Sequence, residues 1–220
     1  LTGDRSPLHT EKDFARKSMY RDEVAHGMLP VAFVSLLGFF NVDGYRCALG
    51  GISGRFIEPV FAGGRFVLRG EIKTLDSGSA GATVDFSIEN LDSKAVATKG
   101  SVTVNYIRTG AARPARSENR AQDSPCMVEE NLQVSGLGLE EISKGLANGF
   151  RFTIKDSSIA GLIDIISEGV EGASGARAEP DGFYLPDLLS VLLFSTSVGM
   201  CIPGRYATFL EFKADIHRQA

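Results

Sequence analysis

The chain has 220 residues, 43% of them hydrophobic and 23% charged, with a net charge of −4 and a pI near 5.5. That is enough for one large or two small domains with a buried core. It argues against a nucleic-acid binder, because Arg113, Arg116 and Arg120 are diluted by Glu118 and Asp123 and no basic stripe exists to neutralise phosphates. Cys47, Cys126 and Cys201 are widely spaced and odd in number, so neither a disulfide framework nor a zinc site is expected. No apolar run reaches membrane-spanning length and nothing at the start resembles a signal peptide, which makes a reducing cytoplasm the expected location.

The first element is a loop. Asp4 and His9 lie five residues apart across Pro7, a spacing too irregular for a helix face but suited to a tight turn that aims a carboxylate and an imidazole into one pocket. Phe14 to Met19 reads as a short helix. His26 and Gly27 then precede an apolar run, Met28 to Phe40, that reads as a longer helix without a polar face and therefore buried, with Phe33, Phe39 and Phe40 in the core. After the Asn41-Val42-Asp43-Gly44 turn the period changes to two, over Tyr45 to Phe56, Arg65 to Lys73, Thr83 to Glu89 and Ala95 to Ile107. One buried helix followed by a long antiparallel meander predicts a sheet wrapped around a helix.

From Thr109 to Gln122 periodicity disappears and the segment reads as a linker. Beyond it come an expected strand at Phe150 to Ile154, a short helix at Ile159 to Ile166, a long apolar helix at Leu185 to Met200 and a strand at Tyr206 to Ala214. Sliding the chain on itself by 160 residues superposes Leu29 on Leu189, Val31 on Val191, Ser35 on Ser195 and Gly44 on Gly204. Helix, turn and strand recur in the same order at that offset, which reads as an internal duplication.

Three segments in order, Leu-Thr-Gly-Asp-x-Ser-Pro-Leu-His at the start, His26-Gly27-Met28, and Phe56-Ile57-Glu58-Pro59-Val60-Phe61-Ala62-Gly63, resemble the MaoC-like family of (R)-specific enoyl thioester hydratases and dehydratases. The resemblance covers roughly Leu1 to Ile107 and implies an α+β hotdog fold, an antiparallel sheet around a long central helix. Glu140 to Gly145 and Phe152 to Asp156 are similar to how such a domain begins. The whole therefore resembles a double hotdog with an incomplete second copy: a catalytic domain at 1–108, a linker at 109–136 and a degenerate half at 137–220, which has no histidine before His217. Both ends are expected to be truncated relative to a full pair.

By the resemblance, Asp4 and His9 hold a water and add it to a 2-enoyl thioester carried by coenzyme A or an acyl carrier protein, with no metal or other cofactor. The chemistry is consistent, since hydration needs one group to take a proton from water and another to deliver one to the α carbon. The backbone N–H of Gly27 can meet the enolate oxygen, with the helix dipole behind it, and glycine allows close approach of the thioester. Ser6, His26 and Met28 complete the expected substrate-binding set. The family usually has Asn where this chain has Ser6, which offers one polar group fewer and less reach. Each residue alone has a plainer reading: a turn for Asp4, a satisfied imidazole for His9, loop orientation for His26, helix-start geometry for Gly27. Arg55 and Arg65 could meet phosphates, although solvated strand ends account for both. Two other functions stay open, a non-catalytic acyl-thioester-binding module and a hotdog thioesterase; against the latter, Met28 to Phe40 carries no carboxylate. A homodimer is compatible with the fold, as is internal pairing of the two halves.

Overall fold

A computed structural model describes residues 5–37, 42–76, 80–108, 161–164, 185–193 and 210–216. Asp4, Phe39, Phe40, Cys126, Cys201, the linker at 109–136 and the strand expected at Phe150 to Ile154 lie outside the described residues.

The period-two segments are strands: β1 (Tyr45–Phe56), β2 (Phe66–Asp76), β3 (Gly81–Asn90) and β4 (Val96–Arg108), joined by β5 (Glu211–Asp215) from the far end of the chain. At the turn before β1, Tyr45 N–H donates to Val42 O at 3.0 Å and Gly44 takes a φ of +80°, a conformation that L side chains rarely adopt. All pairs are antiparallel, in the order β2-β3-β4-β1-β5. The expected meander is therefore confined to β2-β3-β4, because β1 pairs with β4 and not with its successor. Alternation fixes which face a residue takes but says nothing of which strand lies beside it.

One face of the sheet is apolar. Ala82, Val84, Phe86 and Ile88 of β3 and Val102 and Val104 of β4 are buried at alternate positions. In β1 the inward residues Leu49 and Ile52 are three apart because a bulge between Leu49 and Gly51 absorbs one residue. Against this face lie the short helix α3 (Leu29–Ala32), the 3-10 turn Phe33–Leu36 that continues it, and α4 (Leu185–Leu192). Met28, Val31, Ala32 and Val34 are fully enclosed, so the expected burial holds, but the expected long helix does not. Its regular part is one α turn followed by a tighter one, and Leu37 is already extended. An apolar run with no polar face carries no period, so its length is set by what it packs against.

β5 joins the sheet edge to edge with β1, in a register centred on Ser53↔Lys213. Those two residues are 160 apart, the offset at which the sequence superposes on itself. α3 and α4, which the same offset relates, touch across the core.

Candidate active site

The segment around Ser6 and His9 folds as one helical turn, α1 (Pro7–Thr10), where a tight loop was expected. Pro7 sits in the first turn, where its fixed φ suits a helix and its missing N–H leaves no bond unmade. His9 N–H donates to Ser6 O at 2.9 Å and Glu11 N–H to Pro7 O at 2.9 Å. Leu8 is buried with Ala15 of α2 (Lys12–Lys17) and Val24, and Phe14 and Tyr20 cover them. Burying one such leucine contributes about 1.5–3 kcal/mol. This small separate core fixes which way His9 faces.

His9 Nδ1 lies 2.8 Å from the Val24 carbonyl oxygen. A carbonyl oxygen only accepts, so Nδ1 carries the proton, and in the neutral ring Nε2 holds the lone pair. Val24 is itself held, by a bridge to Phe61 and by Ala25 N–H donating to Val60 O at 2.7 Å. The segment Phe56 to Gly63 thus acts as the bracket that positions the acceptor for His9. The His26 ring packs on the His9 ring with centroids 4.1 Å apart and planes tilted by 33°.

Leu29 N–H donates to His26 O at 2.8 Å, closing a turn around Gly27 and Met28. No acceptor among the described residues takes the Gly27 N–H. Gly27 does not have a positive φ, and a Cβ there would meet the Phe56 ring at 3.6 Å, an ordinary contact. Neither backbone conformation nor packing demands glycine at this position. The Phe56 ring stacks in turn on Phe212 of β5, at 5.7 Å and 26°.

The structure therefore gathers His9, His26 and Gly27 at one end of the inner sheet face, with Ser6 at the start of α1. Ser6 is 1% exposed, and Met28 is fully buried in the main core, packed against apolar neighbours. The helix behind Gly27 is a single α turn, so the dipole expected from a long helix is reduced to its own few N–H groups. Sequence reading missed the Val24 carbonyl, since a backbone acceptor leaves no mark on residue identity. It also missed Thr98, which faces Phe56 across the β1–β4 ladder and whose buried Oγ1 has no hydrogen-bond partner among the described residues. Arg65 is engaged by Asp92 at 2.5 Å on the exposed β3–β4 turn. Among the described residues no group of three or more His, Cys, Asp or Glu could hold a metal ion, and no helix is long and apolar enough to cross a membrane.

An imidazole with a fixed tautomer, a second imidazole packed against it and the adjacent Gly27 thus lie together on an α+β fold. Residues 1–84 match the family described as MaoC like domain. The (R)-hydratase from A. caviae involved in PHA biosynthesis is 30% identical over 48% of this chain and 79% of its own, with a TM-score of 0.43. R-hydratase PhaJ1 from Pseudomonas aeruginosa is 20% identical over 51% of this chain and 75% of its own, with a TM-score of 0.40. A MaoC-like dehydratase is 16% identical, covers 99% of this chain and 75% of its own, and superposes with a TM-score of 0.55, which shows the hotdog fold. No curated protein gives a significant match. The chain belongs to the MaoC-like family.

Proposed function

We propose that this protein hydrates 2-enoyl thioesters, and dehydrates the corresponding (R)-3-hydroxyacyl thioesters, at the site formed by His9, Gly27 and Asp4. The observation that carries the proposal is the His9 Nδ1 contact with Val24 O, which leaves Nε2 as the base. In the forward direction His9 Nε2 takes a proton from water as the oxygen bonds to C3 of the substrate. The C2–C3 double bond shifts to an enolate whose charge gathers on the thioester oxygen, where the Gly27 N–H donates to it. A proton then returns to C2. That proton is the one the Asp4–His9 pair received from water, and a close carboxylate–imidazole pair titrates as a unit. His26, packed on the His9 ring, is a positioning residue that limits the tilt of the base.

The substrate is an acyl group on coenzyme A or on an acyl carrier protein, and the carrier is part of the proposal. The matching sequence and secondary structure at a 160-residue offset, with β1 and β5 paired about Ser53↔Lys213, support residues 137–220 being a degenerate copy of the first domain. Chiral analysis of the product from crotonyl-CoA tests the reading. The expected product is (R)-3-hydroxybutyryl-CoA; the (S) product, or release of free thiol in place of hydration, would overturn it.

A further inference from the structure

Thr98 of β4 is buried at the end of the core where Gly27 and His9 lie, and no role assigned to that end uses it. Its Oγ1 is shut off from solvent and has no hydrogen-bond partner among the described residues. Buried hydroxyls are nearly always paired, and an unpaired one destabilises the fold that encloses it. Thr98 alternates with Gly100, Val102 and Val104 on the inner face of the sheet. The register sets it between Ile88 of β3, in the main core, and Phe56 of β1, packed against that core.

Two routes tie Thr98 to the acid–base site. The first is its neighbour Phe56, whose ring a Cβ on Gly27 would meet at 3.6 Å. The second is the residue before it. β4 takes one extra residue at Ala97, between the Ile88↔Thr98 and Glu89↔Val96 pairs, and such a bulge re-aims the side chain beside it. Ala97 O accepts the N–H of Ile57 at 2.8 Å and of Glu58 at 3.2 Å, at the root of the segment that positions Val24 for His9. Of the two cross-strand neighbours Ile88 is buried and Phe56 only partly so, which puts the way from Thr98 to Gly27 past the Phe56 ring. That ring is held by stacking on Phe212, a contact that lets it swing.

Valine has the same branched shape and would fill this position without burying a hydroxyl. A plain hydrocarbon acyl chain laid over Phe56 would leave the hydroxyl as unpaired as before, whereas an oxygen on the chain would pair it. A buried polar group that only one class of ligand satisfies discriminates against ligands that lack the partner. We propose that Thr98 selects the acyl group: with the Phe56 ring swung aside, its hydroxyl donates to a hydroxyl or carbonyl oxygen carried on the acyl chain beyond C3. The preferred substrates are then oxygenated acyl thioesters. The inference rests on the hydratase reading in one respect, that the Gly27 N–H holds the thioester oxygen; from there the chain crosses Phe56, and Thr98 lies one strand spacing on, about 4.8 Å.

The test is equilibrium titration of the full chain with hexanoyl-CoA and with its 4-, 5- and 6-hydroxy derivatives, comparing wild type with Thr98→Val and Thr98→Ser. Wild type is expected to bind at least one hydroxylated thioester about 3- to 10-fold more tightly than hexanoyl-CoA. Thr98→Val is expected to lose that preference while melting no lower than wild type, because it removes an unpaired buried hydroxyl and keeps the shape. Thr98→Ser, which keeps the hydroxyl, is expected to retain the preference. No preference in wild type overturns the inference. So does a preference that survives in Thr98→Val, even if affinity for all four thioesters falls together, since that is a packing role only. The thioesters are saturated, so binding needs no turnover. A wild type that shows the preference but hydrates no enoyl thioester would count against the hydratase reading and leave the acyl-selecting role standing; one that hydrates crotonyl-CoA without the preference would refute this inference alone.

Discussion

Gly27 is the residue at which stability and function come apart most cleanly. Its φ is not positive and a methyl group would rest on the Phe56 ring at 3.6 Å, so Gly27→Ala is expected to leave stability unchanged or to raise it by about 0.4–1 kcal/mol. A Cβ beside the proposed oxyanion donor would crowd the thioester, so kcat/KM should fall about 10- to 100-fold. Steady-state kinetics and thermal melts on the same preparation check this. Retained activity would mean that the glycine is only a helix-start residue. The candidate residues themselves were legible in the sequence because Asp4, Ser6, His9, His26 and Gly27 fall in ordered motifs. What fixes His9 was not, since its anchor is the carbonyl of Val24, any residue supplies such an oxygen, and the bracket that places it comes from Val60 and Phe61.

At the scale of elements the sheet was the legible part, because alternation of Val, Ile and Phe with polar residues marks both the strand and its buried face. The β1 and β5 pairings were hidden, since alternation does not name neighbours. The central helix was overread: Met28 to Phe40 is apolar throughout, and a run without a polar face gives no hint of where its helix stops. Small residues on the inner face make the sheet's packing testable. A Cβ on Gly100 would run into the backbone oxygen of Ser53 as well as the Phe86 ring, whereas on Gly54 it would meet the Phe212 ring at 2.5 Å. A ring can swing and a ladder oxygen cannot. Gly100→Ala should therefore destabilise the fold by at least ~3 kcal/mol, and Gly54→Ala by less, about 1–3 kcal/mol, as read from urea midpoints. A second element-scale prediction concerns pH. Burial, and then the charge of Cys47 opposite it, raise the Tyr106 phenol above its ordinary value of 10.0. The folded chain keeps that proton where the unfolded chain releases it. The contribution is therefore complete below pH 10 or so and is lost as pH rises through the raised value. Tyr106→Phe should flatten the decline in stability between about pH 9 and pH 11 relative to wild type; identical declines would show that the phenol is not the group responsible.

Seen as a whole molecule, the described sheet takes in β5 from the far end of the chain, and β5 meets β1 about a residue pair 160 apart. In the proposed duplication, β5 stands where the β1 of a second copy would stand. Residues 1–108 alone would present the β1 edge and the α3 surface that β5 and α4 cover. That fragment is expected to dimerise through β1 paired with β1 about Ser53, while the full chain keeps this pairing internal; sedimentation of both, with a fragment carrying Gly54→Pro to remove an N–H on the β5 side of the ladder, checks it. A monomeric, folded fragment would count against the duplication. The proposed repeat shows in the sequence only as matched residues and elements at a fixed offset, because the pairing that supports it is between residues 160 apart.

The claim on which the account rests is that His9 is the base of an enoyl thioester hydratase. The measurement that tests it most directly is the rate of crotonyl-CoA hydration by wild type and by His9→Ala and Asp4→Asn, each checked for folding by circular dichroism. The account predicts turnover by wild type and a loss of about 10²–10⁴-fold in kcat for each variant. Hydration that persists undiminished in His9→Ala would contradict it.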